Sequence, residues 1–344
     1  ETRTRKLFFG ELHLCKCGGV RYSACMAAQN VKPVDVVGVG INATDTLIRL
    51  PRFPTLDSKV EFISSTVMPG GQVASAMVAC QKWGLQTRYV GRVGDDFAGE
   101  LQRKEFEKAG IETHLKVIQG AASQTSFILV DEPSGERTVL WNRSAEMTIR
   151  PEDIRREWVV SARALLVDGH DTAAAATAAR WAREAKIPVT ADLDNLYSGI
   201  EVLLEHVNFL VCSKEFPARL TGEKDLLKAL PAMQKRFRNR IAAATLGKDG
   251  VLAWDGERFH YCAAFLVETM DTTGAGDIFH GAFVYAQLAR WNLKEQLAFS
   301  CAAAALNCKA LGARGGIAPL ADVREMMRSG KTYPPSFTSN DFKA

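Results

Sequence analysis

From residue 34 onward, short apolar runs alternate with longer amphipathic ones, and this alternation limits the possible folds more than any other feature of the sequence. Residues 34–40 form a short apolar strand pattern, and residues 74–83 carry Ala74, Met77, Val78 and Gln81 at helical spacing. Residues 88–93 read as the next strand and 97–109 as a helix stopped by Gly110, since glycine enters the left-handed conformation without steric cost. Strands follow at 164–168, 188–192, 208–212 and 240–246, with helices between them, notably the alanine-rich 173–186. The pattern predicts an α/β fold: a mostly parallel sheet with helices on both faces.

Two stretches break the alternation. Residues 46–67 alternate polar and apolar side chains around Pro51 and Pro54, and residues 123–141 read as a hairpin about the turn from Asp131 to Glu136. Both are too long for tight turns, and a small separate sheet covering a site would account for them. With 47% hydrophobic and 24% charged residues, the chain has the composition of a globular protein with a sizeable core. The net charge is +4, and residues 1–25, with five Lys/Arg and two Glu, hold most of it. The remaining body is nearly neutral, so no basic face for nucleic acid is expected.

Eight cysteines in 344 residues do not make a disulfide scaffold. Cys15 and Cys17 lack a second close pair to complete a zinc site, while Cys80, Cys212, Cys262, Cys301 and Cys308 fall in apolar stretches where a thiol packs as a small core residue. Reduced thiols in a cytoplasmic protein are expected, with neither a membrane span nor a signal peptide. Residues 1–33 read as a loosely ordered N-terminal extension, of which 1–25 are expected to be dispensable for folding. Residues 331–344, with Pro334-Pro335 and scattered polar side chains, read as a loose C-terminal tail.

The chemistry concentrates in residues 271–283, DTTGAGDIFHGAF. Gly274-Ala275-Gly276 can point successive amides one way, and Phe279, Ala282, Phe283 and Ala286 mark the buried face of a helix that starts there. A helix N-terminus favours an anion. The adjacent carboxylate, Asp277, would repel that anion unless it has a task, such as taking a proton from a hydroxyl that attacks a phosphoryl group. Capping the helix is the simpler task, and one residue can do both. Gly38-Val39-Gly40-Ile41-Asn42-Ala43 matches a dinucleotide fingerprint, but residues 44–50 continue like a strand where that fingerprint needs a helix.

Residues 271–283 resemble, position by position, the C-terminal signature of the ribokinase (PfkB) family of sugar kinases, and the resemblance extends over about 34–330. It implies a ribokinase-like three-layer α/β/α fold whose lid comes from about 46–67 and 119–142. It implies ATP and Mg²⁺ as cofactors, Asp277 as the catalytic base, and the amides of Gly274, Ala275 and Gly276 as the anion hole. Asp45 falls where the family binds sugar hydroxyls, a task suited to a carboxylate that accepts two hydrogen bonds. Gly70 and Gly71 match the Gly-Gly pair that opens a sugar-binding helix, with Ser75 in place of the usual Asn and Val73 in place of a usual Gly. Thr245, Gly247 and Gly250 match an element near ATP, and the helix and loop over 301–316, with Cys301, Ala304 and Cys308, would lie against adenine. Related kinases hold a monovalent cation near the residues corresponding to Asp271 and Thr273.

The sequence departs from the family at the Asn-x-x-Glu that orients Mg²⁺ waters, because Ser213 and Phe216 stand there and Glu215 is the one nearby carboxylate. The wording around Ser213-Lys214 and the Cys301/Cys308 spacing resemble ketohexokinases. Arg143 could pair with an acidic sugar or be a strand-end charge. A nucleoside kinase would need aromatic stacking residues in the lid, for which Phe62 and Phe127 are the candidates, and a non-catalytic sensor would have no use for Asp277. Lid sheets in this family often join two subunits, so a homodimer is expected.

Overall fold

The β-branched run of β1 (Val34–Val39) lies inside a sheet that buries both of its faces. The structure, a computed structural model, describes residues 31–338 and 340–343. Residues 1–30 of the expected extension, with Cys15, Cys17 and Cys25, therefore lie outside the described residues. In chain order the strands continue as β2 (Ala43–Leu50), β3 (Ser64–Gly70), β4 (Thr87–Gly94), β5 (Glu112–Ile118), β6 (Thr125–Asp131) and β7 (Arg137–Asn142). The second half supplies β8 (Ala162–Asp168), β9 (Val189–Leu193), β10 (Phe209–Ser213), β11 (Ile241–Thr245), β12 (Val251–Trp254) and β13 (Phe259–Cys262).

Nine strands form the main sheet in the order β13-β12-β11-β10-β9-β8-β1-β4-β5. The pairs from β5 to β11 are parallel, and the β11–β12 and β12–β13 pairs are antiparallel. Side-chain alternation sorts each strand between two cores. Val37, Leu165, Leu210 and Ala242 join the core under helices Thr172–Glu184 and Leu226–Phe237. Val36, Leu166, Val211 and Ala243 face helices Gln72–Lys82, Ala275–Leu288 and Leu293–Asn307. Each fully buried Val or Leu contributes ~1.5–3 kcal/mol of transfer free energy. The helix Phe97–Ala109 has the bounds expected from its sequence because both ends carry strong signals. Asp96 caps it by accepting from Gly99 N at 2.8 Å, and Gly110 ends it at φ 73°.

The smaller sheet has the order β3-β2-β6-β7, with β2–β6 parallel and the other pairs antiparallel. It is built from the two stretches that broke the alternation, although β2 and β3 extend beyond 46–67 at both ends and residues 51–63 form an exposed connection between them. The tail, expected to be loose over 331–344, instead runs beside β13 and the segment after it where described: Leu266 N donates to Lys331 O at 2.7 Å and Tyr333 N to Ala264 O at 2.9 Å. Phe337 packs on Tyr261 and Phe342 on Phe259. The tail's apolar anchors are isolated aromatics without a period, which pattern reading does not detect.

Candidate active site

The first half of the chain winds outward from β1 to β5 and the second half from β8 to β13, so the strand order reverses between β1 and β8. Ligands of open α/β sheets bind outside the carboxyl ends of the strands at such a reversal. A cavity of about 930 Å³ lies there, lined by residues following β8 to β11 and by the inner face of the small sheet. The described residues contain no helix long and apolar enough to cross a membrane.

Asp277 lies in the first turn of helix Ala275–Leu288 and lines this cavity. Gly274 caps the helix at φ 75°, and a Cβ there would stand 2.4 Å from Ala313 Cα, so glycine is required twice over. A Cβ on Gly276 would meet no protein atom within 4 Å, which leaves its backbone open to a ligand. Although half-exposed to the cavity, Asp277 is surrounded by protein on its other sides; burial, followed by the charge of Asp192, pushes its pKa up to about 8. Burial also raises the pKa of Asp192, with neighbouring Asp194 adding to the effect. Asp192 and Asp194 both line the cavity, as does His280, one helical turn beyond Asp277. His280 Nδ1 is 2.7 Å from Gly276 O and 3.3 Å from Asp192, and Nε2 is 3.2 Å from Val211 O. The imidazole thus ties the glycine turn to the end of β9.

Under the small sheet, Asp45 on β2 accepts from Ser126 Oγ at 2.6 Å, and burial raises its pKa. A Cβ on Gly70 would fall 1.8 Å from Asp45 Oδ2, so Gly70 makes room for this carboxylate rather than lining the cavity itself. Gly71 lines it, at φ 94°. Arg137, Trp141 and His170 complete this end. At the other end stand Thr245, Gly247, Gly250, Cys301, Ala304 and Cys308, together with Thr273, Gly274 and Ala275. Thr245 Oγ1 donates to Cys212 O at 3.2 Å, holding the turn after β11 against β10.

Besides Gly70, six residues singled out from the sequence are placed away from the cavity wall. Ser75 is fully buried beneath it, where Arg314 Nε donates to its hydroxyl at 3.2 Å and Arg314 Nη2 donates to Gly70 O at 2.6 Å. The arginine thus joins Ser75 to the Gly-Gly pair at the start of its helix. Arg143 is spent on a two-pronged pair with Asp171 and on Met147 O, so it is not available to an acidic sugar in this cavity. Glu215 is exposed and does not line the cavity, while Phe216 beside it is core. The Asp271 carboxylate accepts from Thr273 N, Thr273 Oγ1 and Gly312 N, so a cation at this loop would depend on backbone carbonyls. Phe127, at 53% exposed, does not line the cavity either, and neither does Phe62.

Asp192, Asp194, His280, Arg137, Trp141 and His170 were not singled out from the sequence. Asp-Leu-Asp at the end of a strand was the available signal for the first two. His280 could have been found from its spacing after Asp277.

The pattern of the pfkB family carbohydrate kinases matches residues 35–319. The ATP-dependent ribose-1-phosphate kinase of Halopiger xanaduensis is 28% identical over 294 residues, covering 84% of this chain and 96% of that protein. The ribokinase of Bacillus subtilis is 25% identical, covering 84% and 98%. Among solved structures, a candidate ribokinase from Agrobacterium tumefaciens superposes with TM-score 0.80 at 29% identity, covering 86% of this chain and 98% of the other. The family match covers both sheets and the helices around them, and the protein belongs to the pfkB family of carbohydrate kinases.

Proposed function

We propose that this chain transfers the γ-phosphoryl group of ATP to a hydroxyl of a sugar or sugar-derived small molecule, with Asp277 as general base. The observation that carries the reading is a carboxylate of raised pKa in the first turn of the helix whose N-terminal amides open on the same cavity. Asp45 would accept hydrogen bonds from the acceptor's hydroxyls, and Asp277 would take the proton of the attacking one. The amides of Gly274, Ala275 and Gly276 would stabilise charge gathering on the transferred group, so that positioning and electrostatics do most of the work. Mg²⁺ held chiefly by phosphates and water needs only one or two carboxylates, and the exposed Asp194 fits that role better than Glu215. Such an ion would neutralise phosphate charge. The free, described cysteines suit a reducing compartment such as the cytoplasm.

ATP consumption across ketoses, aldoses, sugar acids and nucleosides tests the reading; nucleotide binding without turnover on any of them would favour a sensor. Because the base acts deprotonated, kcat/KM should fall tenfold per pH unit as pH drops below about 8 and level off above it. A profile already flat at pH 6 would show that the acting base titrates well below 8, and the loss of turnover in Asp277→Asn would then have to carry the assignment. A nucleoside acceptor draws support from one observation: Trp141, 56% exposed, turns an aromatic surface to the cavity from the lid.

The outer face of the lid supports a homodimer. Val67, Thr46, Phe127 and Leu140 are direct cross-strand neighbours in one row, and the three apolar members are each about half exposed. Phe127→Lys should convert a dimer to a monomer in light scattering. A wild-type monomer at tens of micromolar would defeat this proposal.

A further inference from the structure

The segment 331–338 does more than cover the edge of the main sheet. Its backbone pairs with 264–266 through a Phe265–Thr332 bridge, and this register puts Tyr333 on the cavity wall. Farther along, Ser336 N donates to Tyr261 Oη at 2.9 Å and Ser336 Oγ to Asp249 Oδ1 at 3.1 Å. Tyr261 Oη in turn donates to Asp249 O at 2.8 Å. Asp249 belongs to the turn after β11, whose Gly247 and Gly250 also line the cavity. The segment therefore fastens two separate walls of the same cavity end and contributes a third surface between them.

That end is chemically distinct from the acceptor end. Ala264, Phe265, Val267, Ala304 and Cys308 supply small or apolar surface there, whereas the acceptor end carries Asp45, Asp192 and Asp194. A half-buried tyrosine ring beside small side chains suits a flat heteroaromatic ring, because an aromatic face stacks on any base at low entropic cost. We propose that Tyr333 forms part of the base-binding wall for the nucleotide, and that residues 331–338 are a structural part of the nucleotide site. This rests on the kinase reading above.

The test compares Tyr333→Ala and Tyr333→Phe with the wild type, measuring Kd for ADP by calorimetry, KM for ATP and for the acceptor, and thermal stability. Tyr333→Ala should raise Kd for ADP and KM for ATP about tenfold. Acceptor KM, kcat and melting temperature should stay near wild type, and Tyr333→Phe, which keeps the ring, should restore nucleotide affinity to within about twofold. Wild-type affinity for ADP in Tyr333→Ala would overturn the proposal. So would a parallel rise in both KM values, which marks general loosening, or a Tyr333→Phe variant as weak as the alanine. If the wild type binds no nucleotide, the kinase reading itself falls, and this proposal falls with it.

Discussion

Asp277→Asn is expected to lower turnover about a thousandfold, the middle of the range for loss of a positioned general base. The substitution preserves side-chain shape and removes a carboxylate that its surroundings already prefer protonated, so neither the fold nor nucleotide affinity should suffer. A melting curve and an ADP titration would check that expectation alongside steady-state rates. The amide also cannot be recharged by raising pH, so the alkaline rise in kcat/KM should disappear with the activity. Turnover within tenfold of wild type would mean that the acceptor hydroxyl loses its proton elsewhere, with Asp192 the next carboxylate to test, since it lines the same cavity beside His280.

Arg143→Ala should have its main effect on stability. Asp171 is 5% exposed, and Arg143 supplies its charge partner; Ile149 N adds one hydrogen bond at 3.0 Å. Removing one member of a buried pair strands the other, at a cost of about 3–5 kcal/mol. For a domain of this size that corresponds to a melting temperature lower by roughly 6 °C or more. The double variant Arg143→Met/Asp171→Leu should recover much of the loss, because it leaves no unpaired charge. If Arg143 instead recognised an acidic acceptor, the single variant would melt normally and lose affinity for sugar acids alone. Calorimetry and a comparison of KM for neutral and acidic sugars separate these outcomes.

The residues legible in the sequence are those whose chemistry is local. Gly274, Ala275, Gly276 and Asp277 lie in one turn, and a helix start needs only neighbouring residues to define it. Asp45 was legible for a similar reason, lying soon after the first strand. Ser75 was legible as a departure, but its consequence was not. The residue that donates to its hydroxyl, Arg314, lies 239 positions away, and no periodicity links the two. Arg143 shows the converse: an arginine at a strand end reads as a free charge until folding brings Asp171 against it.

The sequence by itself determined the layered architecture, because strand and helix periods depend on side chains a few residues apart. It also determined the glycine turn that opens a helix and the carboxylate in that helix's first turn. Only the tertiary structure decided the state of that carboxylate, since burial and the approach of Asp192 from another strand raise its pKa. The same holds for the walls of the cavity. Arg137 and Trp141 reach it from the lid, His170 from the loop after β8, and Tyr333 from the far end of the described chain. Desolvation and long-range packing are properties of distances through space, which the order of residues constrains only after the chain has folded.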